Sequence, residues 1–186
     1  MSGTSLDGLD VAACEFSYSS HKWNYQIHAV ETYPYSTQWI QRLQALDKQD
    51  AQTFVQTDME YGQLLGNFVN WFIKKYSIKP DYIASHGHTI FHQPNAGFTF
   101  QIGSGAALAA TTGIDVICDF RSTDVALGGQ GAPLVPIGDE LLFLDYDYCL
   151  NIGGFSNISF DENGLRKAFD ISPANMALNY FANKQN

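Results

Sequence analysis

The stretch Met1-Ser2-Gly3-Thr4-Ser5-Leu6-Asp7-Gly8 decides how this chain is read. It is a turn of small and hydroxyl-bearing residues, and it runs straight into an apolar strand from Leu9 to Phe16. Glycine lets a backbone approach a ligand closely and leaves amide groups pointing outward. Thr4 and Ser5 add hydroxyl donors, so the turn can cradle phosphate oxygens, and the Asp7 carboxylate could hold a hydrated Mg²⁺. It is not a Walker loop, because no Gly-Lys-Ser/Thr follows and the next element reads as a strand. An ordinary hairpin turn has the same composition. A second stretch of the same character, Asn151-Ile152-Gly153-Gly154-Phe155-Ser156-Asn157, adds weight to the ligand reading. Each stretch opens a hairpin in its own half of the chain. The echo predicts a duplicated lobe plan, with a first lobe over 1–145 and the second beginning at Tyr146. Two such turns could clamp a nucleotide triphosphate from both sides.

Working outward, Trp23 to Tyr33 alternates apolar and polar residues and reads as a half-exposed strand, joined to the first by Ser19-Ser20-His21-Lys22. Gln38 to Leu46 and Ala51 to Tyr76 read as helices. In the second of these, Phe54, Tyr61, Leu65, Phe68 and Phe72 recur at threes and fours, and Pro80 follows its end. Short strands are expected at Asp81–Ala84, Thr89–His92 and Phe98–Ile102, with Gln93-Pro94-Asn95-Ala96-Gly97 as a turn. A short helix over Gly105–Thr112 and a buried strand over Asp115–Phe120 come next, then a loop at Gly128–Pro133. Strands at Tyr146–Ile152, Phe155–Phe160 and Arg166–Phe169 and a helix over Pro173–Lys184 complete the reading.

The chain has 186 residues, 45 % hydrophobic and 16 % charged, which suits one large globular domain or one and a half small ones. Ten Lys and Arg against nineteen Asp and Glu give a net charge of −9. That field repels phosphate backbones and anionic membranes, so neither a nucleic acid nor a membrane is expected as partner. An anionic ligand must be held by local donors. No window reaches the roughly 18 apolar residues of a membrane span. The amino terminus has neither the basic nor the apolar region of a signal peptide. Cys14, Cys118 and Cys149 lie in separate apolar runs and are expected as buried, reduced thiols of a cytoplasmic protein.

Three further groups carry chemistry. Asp170 follows the apolar pair Ala168-Phe169 and precedes Ile171-Ser172-Pro173. A carboxylate there suits general-base work, and it equally suits a helix N-cap. Arg121 and Asp124 end the strand that runs to Phe120, where ligands of α/β sheets gather. Arg121 could hold a carboxylate or hydroxyls and Asp124 could accept from a sugar hydroxyl, or the two could pair internally. His86, His88 and His92 are enough in number for a zinc site, but Gly87 and Gln93-Pro94 suggest an irregular loop. A sugar-contacting or a structural role is the alternative.

Six motifs stand in order: Met-Ser-Gly-Thr-Ser-Leu-Asp-Gly at 1–8, Ser-His-Gly-His-Thr-Ile-Phe-His at 85–92, Gln-Ile-Gly at 101–103, Asp-Phe-Arg at 119–121, Gly-Gly-Gln-Gly-Ala-Pro-Leu-Val-Pro at 128–136 and Asn-Ile-Gly-Gly-Phe-Ser-Asn at 151–157. Over nearly its whole length the chain closely resembles the N-terminal half of the anhydro-N-acetylmuramic acid kinase family, within the hexokinase/actin-like ATPase superfamily. The resemblance implies an α/β fold: an actin-like ATPase (ribonuclease H-like) lobe with a mixed β-sheet and flanking helices, plus the start of a second similar lobe. It implies ATP and Mg²⁺ as cofactors, bound between two lobes. Ser2, Gly3, Thr4, Ser5, Asp7 and Gly8 match the first phosphate loop, with Asp7 toward the metal, and Gly153, Gly154, Ser156 and Asn157 match the second. Asp170 matches the catalytic base, while His86, His88, Arg121, Asp124 and Gln130 are expected at the substrate. The implied reaction converts 1,6-anhydro-N-acetylmuramic acid, water and ATP to N-acetylmuramic acid 6-phosphate in cell-wall recycling, in the cytoplasm, with a homodimer among the expected assemblies.

The sequence departs from the family pattern in places. Met1 begins inside the first motif, where many members have a preceding strand. His88 stands where most members have Gln, a swap that keeps a donor and an acceptor. Ser122 and Thr123 follow Asp-Phe-Arg where many members have more arginine, which makes a neutral anhydro sugar such as levoglucosan the competing substrate. Ile171-Ser172-Pro173-Ala174-Asn175 varies the family's Gly-Pro-Gly/Ala-Asn pattern at one position. The family chain continues well past 186 residues, so this stretch alone is expected to be inactive, or to be a sugar-binding lobe that needs the other half.

Overall fold

Ser20 and His21 turn the chain on two residues. In the computed structural model, which describes residues 1–3 and 6–184, they take φ of 52° and 62°. Positive φ at both central positions matches the right-handed twist of the strands they join, here β1 (Gly8–Ser19) and β2 (Lys22–Pro34). Helix α1 (Thr37–Ala45) starts where Ser36 Oγ accepts the Trp39 N–H at 3.3 Å. Helix α2 (Ala51–Tyr76) starts on Asp50, whose carboxylate accepts the Thr53 N–H at 2.9 Å. It ends at Ser77, left-handed at φ 55°, with the Ile78 N–H reaching Ile73 O at 3.1 Å.

The apolar period of α2 puts Thr57, Tyr61, Leu65, Phe68 and Phe72 on its buried face. Tyr61, Leu65 and Phe68 form the core with Leu9, Tyr35, Leu43, Leu46, Ile102 and Leu108. Two bare turns of α2 admit a neighbour. A Cβ on Gly62 would lie 2.6 Å from Ser104 O, and one on Gly66 would lie 2.6 Å from Thr111 Cβ. Glycine at both positions lets the backbones of α2 and the following short helix approach closely.

That neighbour comes after three strands: β3 (Ile83–Ser85), β4 (His88–Gln93) and β5 (Phe98–Ile102). It is α3 (Gly105–Thr112), capped by Ser104 and followed by β6 (Val116–Cys118). Then come α4 (Ser122–Ala126), α5 (Leu134–Leu142), β7 (Tyr148–Ile152), β8 (Phe155–Glu162), β9 (Leu165–Pro173) and α6 (Asn175–Lys184). The fold is mixed α/β. In place of one mixed sheet, the described strands fall into four small ones: β1–β2, parallel β3–β6, β4–β5 and β7–β8–β9. Strands of three residues such as β3 and β6 carry too few ladder bonds to extend a sheet by themselves.

The chain divides into two compact units. One holds Met1–Glu15 and Gln26–Gly131, the other Phe16–Tyr25 and Ala132–Asn186. The division falls after Gly131 because α5 goes with the three-stranded sheet: Ser159 Oγ on β8 donates to Asp139 on α5. In that sheet the register puts Tyr148, Leu150, Ile158, Phe160 and Phe169 on one face. Tyr148 and Phe160 rings lie 5.5 Å apart and Phe160 and Phe169 rings 6.1 Å apart. The other face carries Cys149, Asn157, Ser159, Arg166 and Asp170. Asn163 and Gly164, at φ 54° and 76°, turn β8 into β9.

The structure corrects several expectations. The strand expected over Asp115–Phe120 is the shorter β6, and Ile117 and Cys118 are exposed rather than buried. The thiols are not buried: Cys14 and Cys118 are exposed and Cys149 is half-buried. An apolar run gives burial only where a neighbour covers it, and β1 and β6 each pair on one side in two-stranded sheets. Helices α4 and α5 were not legible; the loop expected at Gly128–Pro133 runs to the N-cap of α5, and Pro136 stands in the first turn of that helix, where proline is tolerated. Strand β9 continues to Pro173, so Asp170 lies inside a strand and is not the N-cap of α6.

Candidate active site

Backbone pairing builds the first turn. Met1 N–H donates to Asp10 O at 2.5 Å, Asp10 N–H donates to Met1 O at 2.9 Å, and Ser2 bridges Leu9. Met1-Ser2 is thus a short antiparallel arm against β1. Gly3 O accepts the Leu6 N–H at 3.3 Å, and Leu6 is left-handed at φ 54°. Gly8 is required by packing: a Cβ there would lie 2.4 Å from Tyr33 O. Asp7 is exposed. Thr4 and Ser5, expected as hydroxyl donors, lie outside the described residues.

The second turn has the same plan. Ile152 pairs with Ser156 across β7 and β8, and Gly153-Gly154 make the turn. The Gly154 carbonyl accepts the Ala174 N–H at 2.8 Å and the Met176 N–H at 3.3 Å, and the Gly153 carbonyl accepts the Asn175 N–H at 3.1 Å. The turn's carbonyls therefore close the start of α6, where orphan N–H groups need partners. Ser156 Oγ donates to Ser172 O at 3.1 Å. Beside it the β8–β9 register slips: Ser156 opposes Ser172 but Asn157 opposes Asp170, which leaves Ile171 as an extra residue. A bulge re-aims the side chains next to it, and Asp170 is the exposed carboxylate beside this one. Asp170, Ser156 and Asn157 are brought together on neighbouring strands.

The remaining candidates gather in the first unit. The parallel pair β3–β6 aligns Ser85 with Cys118, so His86 and Arg121 both follow the carboxyl ends of these strands. Arg121 Nε donates to His86 Nε2 at 3.1 Å. The internal Arg121–Asp124 pair is not formed: the Asp124 carboxylate accepts the Gly131 N–H at 2.6 Å and holds the Gly128–Gly131 loop. Gly129 permits this, since a Cβ there would lie 2.3 Å from Asp124 Oδ2. Gln130 is exposed on that loop. His88 is buried, with Nδ1 2.9 Å from Ser2 Oγ, and His92 lies 3.2 Å from Thr99 Oγ1. The three histidines thus go to three different partners. Among the described residues no three His, Cys, Asp or Glu side chains are placed to hold a metal ion.

Two residues of this site were missed by sequence reasoning. Tyr61, fully buried on α2, sets its hydroxyl 2.6 Å from that of Tyr35, and its ring meets His88 edge-on with centroids 6.4 Å apart. Ser2, His88, Tyr61 and Tyr35 form a buried polar network under the first turn. Burial raises the pKa of both tyrosines. The signal was hidden because Tyr61 sits on the apolar stripe of α2, where its ring reads as core. Burial is also the main cause that lowers the pKa of His86 and of His88, with the Arg121 charge a lesser one at His86.

A histidine with a lowered folded pKa binds its proton later than the unfolded chain does. Stability is therefore complete above the unfolded value near 6.5 and falls as pH drops below it. The urea midpoint is expected to decline from pH 7 toward pH 5. In His88→Gln, which keeps a donor and an acceptor for Ser2, the decline should be shallower. A variant with the wild-type slope would show that His88 contributes nothing to it.

The sequence model of the anhydro-N-acetylmuramic acid kinase family matches residues 1–186. The chain belongs to the anhydro-N-acetylmuramic acid kinase family. Curated relatives carrying that name include one from Pseudomonas putida, 38 % identical over 100 % of this chain and 52 % of its own length. One from Shewanella sediminis is 40 % identical over 94 % of this chain and 50 % of its own length. Another from Pasteurella multocida is 37 % identical over 99 % and 51 %. The chain spans about half the length of the curated relatives it matches. Membership of this family accounts for the ordered motifs, and it makes the two turns and Asp170 the first residues to test.

Proposed function

We propose that the whole protein is a kinase that converts 1,6-anhydro-N-acetylmuramic acid, water and ATP to N-acetylmuramic acid 6-phosphate and ADP. The family match over residues 1–186 carries this reading. Within it the chain contributes an actin-like ATPase lobe and the start of a second, the lobe limits of 1–145 and Tyr146 being those read from the sequence while the compact units divide after Gly131. Asp170 takes a proton from water, and the water oxygen attacks the anomeric carbon of the sugar. The bond from that carbon to the six-position oxygen breaks, the freed oxygen attacks the γ-phosphorus of ATP, and ADP leaves. The acceptor and nucleophile must be held in line and away from bulk water.

The first turn, with Ser2, Gly3, Asp7 and Gly8, and the second, with Gly153, Gly154, Ser156 and Asn157, would hold the phosphates. Asp7 suits Mg²⁺, because it is an exposed carboxylate and hard cations take oxygen donors. When bound, Mg²⁺ would neutralise phosphate charge. Arg121 and Gln130 stand for the sugar, while His86 bonds Arg121, His88 supports the first turn through Ser2 and Asp124 holds the loop of Gln130. Among the described residues no carboxylate pairs with Arg121, which favours an anionic sugar over levoglucosan.

No helix of the described residues is long and apolar enough to cross a membrane, and ATP as co-substrate fits the cytoplasm. A homodimer is part of the same reading and sedimentation checks it. The deciding assay is ADP release from the full-length protein. Release should depend on 1,6-anhydro-N-acetylmuramic acid, and release that ignores the sugar would overturn the reading.

A further inference from the structure

We propose that His86 is a positioning residue that fixes the Arg121 guanidinium to receive an anionic group of the sugar, so that the pair selects a carboxylate-bearing anhydro sugar over a neutral one. The selection rests on the kinase reading; the geometry that carries it does not.

A guanidinium has donors and no acceptor. The 3.1 Å contact from Arg121 Nε therefore fills the lone pair of His86 Nε2, and the ring proton sits on Nδ1. His86 Nδ1 lies 3.3 Å from Gly87 O, which accepts that proton's hydrogen bond. Gly87 fixes the backbone behind the ring: it is buried at φ 70°, and a Cβ on it would lie 2.3 Å from Ile102 O on β5. The ring is thus held from behind and presents one acceptor forward.

Binding through Nε leaves both terminal amino groups of Arg121 for another partner. Their parallel N–H bonds match the two oxygens of a carboxylate. The nearby acidic side chains are engaged elsewhere: Asp124 accepts from the Gly131 N–H at 2.6 Å and Asp119 from the Ser122 N–H at 3.2 Å. Charge is the deciding point. A carboxylate at position 86 would orient Arg121 but neutralise it. A neutral imidazole orients the guanidinium and leaves its full charge to the ligand. The pair also stands beyond the carboxyl ends of two parallel strands, where α/β folds collect ligands.

Two measurements test this in the full-length protein. By ¹⁵N NMR at neutral pH, His86 should carry its proton on Nδ1; a proton on Nε2 overturns the proposal. By calorimetry, the wild type should prefer 1,6-anhydro-N-acetylmuramic acid to 1,6-anhydro-N-acetylglucosamine, which lacks the lactyl carboxylate. His86→Leu should weaken the first about tenfold and leave the second unchanged, and His86→Gln, whose amide oxygen restores an acceptor, should recover most of the loss. No preference in the wild type, or an equal loss for both sugars in His86→Leu, overturns the proposal while sugar-dependent ADP release still supports the kinase reading. The expected binding pattern without ADP release would do the reverse.

Discussion

Asp170→Asn is expected to lower turnover of the full-length protein by about 10²–10⁴-fold, the contribution of one positioned general base. The amide keeps the shape of the carboxylate and loses its ability to take the proton of the attacking water. Asp170 is exposed in β9, opposite Asn157 and beside the bulge at Ile171, so the neutral replacement should leave the sheet and the melting temperature unchanged. The fall should appear in kcat more than in KM, because the base acts in the transition state. The check is ADP release at saturating sugar and ATP alongside a thermal melt. Turnover within a few-fold of wild type would place the base on another residue. A melt that falls along with activity would mean that Asp170 supports the bulge rather than the chemistry.

Tyr61→Ala should be the most damaging change in the first unit, costing about 3–5 kcal/mol as for other large aromatic truncations. Tyr61 is fully buried, packs beside Trp39 with ring centroids 5.6 Å apart, and bonds the Tyr35 hydroxyl at 2.6 Å. The loss combines an unfilled cavity with a buried hydroxyl left without its partner. Tyr61→Phe separates the two, since it keeps the ring and removes only the hydrogen bond, at about 1 kcal/mol. Urea unfolding of the three proteins gives both numbers. Equal losses for the two variants would mean that the hydroxyl pair, and not the ring, carries the stability.

Much of the fold was legible in the sequence. The period of α2 and its limits at Asp50 and Ser77 are local: an aspartate that can bond the Thr53 N–H starts it, and Pro80 follows its end. Helix α3 is likewise bounded by Ser104 and Gly113. The two small-residue turns were legible because small residues in a row demand a turn, and antiparallel pairing flanks each of them. Helices α4 and α5 were not, because they are short, lie on either side of a glycine-rich loop, α5 opens after a proline, and both draw their stability from packing rather than propensity. In the candidate site the residue types were visible and their partners were not. Asp124 read as a sugar acceptor and holds a loop; His86 and His88 read as substrate contacts and bind Arg121 and Ser2.

The sequence by itself determined what acts over a few residues: where helices and hairpins begin and end, and which motifs mark the family. Propensity, capping and turn chemistry are set by near neighbours, so they survive in any window of the chain. Only the tertiary structure decided which polar groups meet. His86 and Arg121 are 35 residues apart, and Ser2 and His88 are 86 apart. Such pairs form because packing carries distant segments to one place, and once a polar group is buried there it must find a partner.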